Sequence, residues 1–127
     1  MKKLSFSLIL LILLSSCLFS KGENYKRISM DGAKALMEES EGYILLDVRT
    51  KEEYESGYIP GAINIPLSDI NENVVSSLPD KSQMILVYCR SGNRSRQASD
   101  KLSRLGYTNI IEIGGINSWK GEIIKID

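Results

Sequence analysis

From Arg27 onward the chain alternates short apolar runs with segments whose apolar residues recur at helical spacing. "YILLDV" (43–48) and "MILVYC" (84–89) are continuous apolar runs of strand length, the pattern of strands covered on both faces in a parallel sheet. "NIIEI" (109–113) predicts a third strand, and "AINIP" (62–66) a brief one stopped by Pro66.

Between these runs the period changes. Ser29 is a capping residue ahead of Ala33, Leu36 and Met37 on one face, which predicts a helix over 30–40. "KEEYESG" (51–57) predicts one or two helical turns closed by Gly57, and Pro60-Gly61 a turn. "LSDINENVVSSL" (67–78) predicts a helix capped at Ser68. "NRSRQASDKLSRLG" (93–106) places Ala98, Leu102 and Leu105 on one face and stops at Gly106, and "GGINSWKG" (114–121) predicts a turn and a short helix. The alternation defines an α/β domain over 27–127 with a largely parallel sheet.

The first residues follow another rule. Lys2 and Lys3 precede an apolar stretch, Leu4–Leu14, well short of the roughly 20 residues that a spanning helix needs. Small residues and Cys17 follow, the layout of a secretory signal peptide. The junction "LSSC" resembles the bacterial lipoprotein box, which implies that residues 1–16 are removed and that Cys17 carries lipid. Residues 17–26 then form a lipidated tether, and the domain is expected to be exported and anchored to the cell envelope, in the periplasm or at the cell surface. Leu18, where an aspartate often signals retention at the inner membrane, slightly favours outer-membrane or surface display.

Composition narrows the chemistry. Acidic and basic residues number 16 each, so global charge points to no nucleic-acid partner. The chain has no histidine, which removes Ser-His and Cys-His nucleophile systems and most catalytic zinc sites. Two cysteines, Cys17 and Cys89, cannot form a Cys-x-x-Cys redox pair or a cysteine-rich zinc site. No cofactor or metal is expected.

The chemistry concentrates in "YCRSGNRSR" (88–96). Cys89 ends an apolar strand and Arg90 to Asn93 turn into a helix N-terminus, the crevice where open α/β sheets bind ligands. Converging loop amides and the positive helix end stabilise a thiolate without an imidazole. Gly92 permits either sign of φ, and Arg94 offers a planar donor fork for an oxyanion. Arg96 and Arg104 are expected to be solvated helix charges. Cysteine phosphatases separate their cysteine and arginine by five residues, whereas Arg94 is the fifth residue after Cys89. The tighter ring suits one outer sulfur better than a phosphoryl group.

Three separated motifs, "LLDVRTKEEYESGYIPGAINIP" (45–66), "VYCRSGNRS" (87–95) and "GGINSWKG" (114–121), together resemble a single-domain rhodanese. The resemblance implies a three-layer α/β fold with about five mainly parallel strands, and sulfur transfer through a persulfide on Cys89. It makes the amides of Arg90, Ser91, Gly92, Asn93, Arg94 and Ser95 the persulfide cradle, with the Arg90 and Arg94 side chains attracting an anionic donor such as thiosulfate. It also makes Asp47 and Arg49 a scaffold, with an Arg49–Glu53 pair expected, and Trp119 a core residue packed near the site. Tyr58 stands where many members carry histidine and is expected to be structural. A small anionic sulfur donor, a thiol or cyanide-like acceptor and a thioredoxin-like reductant are the expected partners of a monomer. A non-catalytic binding or sensing module remains the alternative, with cysteine phosphatase or arsenate reductase chemistry disfavoured by loop length.

Overall fold

A computed structural model of the chain describes residues 24–127. The segment expected to be a signal peptide, and Cys17, lie outside the described residues. Five strands form one parallel sheet: β1 (Lys26–Arg27), β2 (Ile44–Asp47), β3 (Ile63–Asn64), β4 (Ile85–Cys89) and β5 (Ile110–Gly115), in the order β1-β5-β4-β2-β3. Three α-helices connect them: α1 (Met30–Glu39), α2 (Lys51–Ser56) and α3 (Asn93–Arg104).

The period of two in β4 explains the layering. Ile85, Val87 and Cys89 face one side, with Ala98 and Leu102 of α3, Ile70, Val74, Leu78 and Tyr107. Leu86 and Tyr88 face the other, with Met30 and Ala33 of α1, Leu45, Ile59 and Ile113. Both faces are buried, which is why β2 and β4 read as apolar runs without alternation. Ser29 caps α1 by accepting from the Gly32 amide, and Thr50 caps α2 by accepting from the Glu53 amide.

Two elements differ from the sequence expectation. The helix expected over 67–78 is instead two 3₁₀ turns, Leu67–Asp69 and Glu72–Ser76. The Asn71 side chain accepts from the Asn73 amide at 2.9 Å and starts the second turn afresh, so Ser68 caps nothing. Lys26, assigned to the tether, pairs with Ile111 as the first residue of β1. Two residues of edge strand carry too little pattern to be visible against the polar segment before them.

Candidate active site

All five strands are parallel, so β2 and β4 deliver Asp47 and Cys89 to the same edge of the sheet. The ladder between β4 and β5 is irregular between Val87 and Cys89, and Cys89 ends opposite Gly115. A Cβ at Gly115 would run into the Arg90 carbonyl and the Ser91 backbone, so only glycine lets β5 press against the cysteine loop. Asn117 N–H then donates to the Arg90 carbonyl at 3.2 Å. Gly92, at φ +110°, turns the chain into α3 and aims its own amide at Cys89 Sγ, 2.9 Å away. Ser95, one turn into α3, brings its Oγ to 3.5 Å from the sulfur.

Cys89 is 1% exposed, and burial alone pushes its thiol up. The Ser95 hydroxyl and the amides of Ser95, Gly92 and Ser91 outweigh burial and hold it below the ordinary thiol value. The positive end of the 12-residue α3 lies behind the same amides. The arrangement is a buried sulfur facing converging donors, which favours the thiolate and an anion bonded to it.

The predicted residues divide into those at the sulfur and those around it. Gly92 and Ser95 are buried beside Cys89, while Arg90, Ser91 and Asn93 expose their side chains. Arg94 is held by Glu53 of α2 through two bonds, Nη1–Oε1 at 2.6 Å and Nη2–Oε2 at 2.9 Å. The expected Arg49–Glu53 pair is therefore replaced: Arg49 pairs with Asp47, Nη2–Oδ2 at 2.6 Å, and its Nη2 also donates to the Gly57 carbonyl at 2.7 Å. Both partners are buried, so the short Asp-x-Arg spacing closes on itself and Glu53 is left to the loop arginine. Asp47 accepts from the Arg49 amide as well, at 2.9 Å.

Arg96 is more than a solvated charge, because its Nε donates to the Gly92 carbonyl at 3.2 Å. Arg104 is exposed and pairs with Asp100 one turn earlier. Trp119 is half-buried on the α1 face, with Nε1 donating to the Glu122 carbonyl at 2.8 Å. It lines a cavity of about 570 Å³ with Met37, Tyr43 and Ile59, and packs against the buried cluster that includes Tyr88. Tyr58 stacks on Tyr54, centroids 4.2 Å apart, and its backbone bridges Ile124.

One residue at the site has no counterpart in the sequence reading. Glu112 of β5 is 3% exposed, and its Oε1 accepts from the Ser95 hydroxyl at 2.6 Å and from the Gly114 amide at 2.9 Å. A carboxylate inside the apolar run "NIIEI" was the available signal, because a buried strand rarely carries an acid without a partner.

Residues 29–122 match the Rhodanese-like domain family, and the chain belongs to that family. It is 42% identical over 71 residues to the thiosulfate sulfurtransferase PspE of Escherichia coli, covering 56% of this chain and 68% of that protein. It is 41% identical over 80 residues to the adenylyltransferase and sulfurtransferase uba4 of Ogataea parapolymorpha, a relative of which it spans only 20%, with 62% of this chain covered. Among solved structures, the rhodanese with anions from E. coli superposes with a TM-score of 0.61 at 37% identity, covering 65% of this chain and 98% of that one.

Proposed function

We propose that the chain is a sulfurtransferase that carries a sulfane sulfur on Cys89. The observation behind this reading is the Cys89 sulfur 2.9 Å from the Gly92 amide, with its thiol held below the ordinary value by loop donors. In the first half-reaction the Cys89 thiolate attacks the outer sulfur of thiosulfate or a similar anionic donor. A Cys89–sulfur bond forms, the donor's sulfur–sulfur bond breaks, and sulfite leaves with the electron pair. The persulfide's outer sulfur lies in the amide ring, where its negative charge is stabilised as an oxyanion would be. In the second half-reaction an acceptor thiolate or cyanide takes that outer sulfur and the Cys89 thiolate returns.

The pocket recognises its donor through backbone amides, because the Arg94 fork is already occupied by Glu53. Arg90, exposed on the loop, is the side chain left to draw an anion in. The sequence before residue 24 adds a location: removal of residues 1–16 and acylation of Cys17 would place the domain at a bacterial envelope membrane. Incubation with thiosulfate, followed by intact-mass measurement, tests the activity. The expected result is a gain of one sulfur on Cys89 that is discharged by a small thiol; no gain, or an equal gain in Cys89→Ser, overturns it.

A further inference from the structure

The chain has no histidine, so no imidazole stands beside Cys89 to take its proton. Ser95 Oγ lies between two groups, 3.5 Å from Cys89 Sγ and 2.6 Å from Glu112 Oε1. The Gly92 and Gly114 carbonyls are also near it, at 2.9 and 3.4 Å. A hydroxyl has one hydrogen, and a carboxylate is the strongest acceptor in that set and stands at the shortest distance. The Ser95 hydrogen therefore points at Glu112, and a Ser95 lone pair faces the Cys89 thiol.

We propose that Glu112 takes the Cys89 proton through Ser95. The S–H bond breaks as its proton passes to Ser95 Oγ, and the hydrogen already on Ser95 passes to Glu112 Oε1. No electrons are exchanged and no proton enters or leaves the site. The products are a thiolate that accepts from Ser95 and a neutral carboxyl that donates to Ser95. Ser95 thus serves the thiol as an acceptor and the thiolate as a donor, by a shift of two hydrogens without movement of heavy atoms.

Two further donors reach the carboxylate: Gly114 N–H donates to Oε1 at 2.9 Å, and Arg27 of β1 donates from Nε to Oε2 at 3.3 Å. Arg96 of α3, Asp31 of α1 and Lys120 line the cavity of about 710 Å³ that borders the carboxylate, and Asp31 is paired with Lys120. Glu112 acts through Ser95 and is a positioning residue. The inference rests on Cys89 as the nucleophile, and its test reads the thiolate itself, so that it can fail separately from sulfur transfer.

The experiment is the rate of iodoacetamide alkylation against pH in the full-length protein, read by mass spectrometry on the peptide that contains Cys89. Two groups that share a proton titrate as a pair, so the unmodified protein is expected to show two reactivity steps separated by a plateau. Glu112→Gln and Ser95→Ala are each expected to lose the lower step and leave one. A single one-proton step in the unmodified protein overturns the relay whether or not the variants fold, and so does a two-step profile that survives in Glu112→Gln.

Discussion

Glu53 of α2 and Arg94 of α3 meet in a two-bond fork at 2.6 and 2.9 Å, tying the helix that opens behind the cysteine to the helix that follows β2. Each side chain is about 30% exposed, so the pair is neither dry nor fully screened. The Arg94 hydrogen bond, helped by its charge, pulls the Glu53 carboxyl down to about 2 against the opposing effect of burial.

A carboxyl depressed in the folded state stabilises the fold above the usual carboxylate range and loses that contribution as pH falls toward the depressed value. Glu53→Gln is therefore expected to cost about 1 kcal/mol at neutral pH, after allowance for solvent screening. The difference from the unmodified protein should shrink as pH falls from 5 and vanish near the value of about 2. Urea denaturation of both proteins across that range measures it.

The Asp47–Arg49 pair lies deeper and should behave differently. Asp47 is 0% exposed and Arg49 5%, and Arg49 also holds the carbonyl of Gly57 where α2 ends. Asp47→Ala removes the partner of a buried guanidinium, a change that costs about 3–5 kcal/mol in comparable buried pairs. Chemical denaturation at neutral pH should show a loss of that size, little relieved by salt because the pair is shielded from solvent ions.

The contrast between these pairs marks how far the sequence could be read. β2, β4, α3 and the placement of Cys89 were legible because unbroken apolar runs and helical spacing report burial directly. The pairing of Arg49 with Asp47 was not, since Glu53 and Asp47 are both within reach in sequence and only the fold decides which acid faces which base. The packing of Trp119 against a core cluster was legible, but an aromatic beside a Gly-Gly turn signals burial without saying on which face. Glu112 was legible in principle, as a charge inside a buried strand, but its partner Ser95 lies 17 positions away on another element.

Ser99 gives a prediction of opposite sign. It lies on the buried face of α3 at 0% exposure, and its Oγ has no hydrogen-bond partner in the structure. A buried hydroxyl without a partner carries a desolvation cost that a methyl does not. Ser99→Ala is expected to raise stability by up to about 1 kcal/mol, which denaturant midpoints would show, without altering Cys89 alkylation.

Gly92 couples backbone conformation to the chemistry. Its φ of +110° is a region that side chains rarely adopt, and the same residue places its amide 2.9 Å from Cys89 Sγ. The nearest atoms to an added Cβ are at ordinary contact distance, so the cost of Gly92→Ala is backbone strain rather than a clash. That strain should be about 1–2 kcal/mol, and the chain can relieve it only by rotating the amide away from the sulfur. Losing that donor leaves burial less opposed, so the Cys89 thiol should rise toward its ordinary value. At neutral pH the variant should alkylate more slowly at Cys89 and load less sulfur from thiosulfate. At alkaline pH, where either protein is ionised, the alkylation rates should converge. A rate deficit that persists unchanged at alkaline pH would show that the Gly92 amide does not control the thiolate.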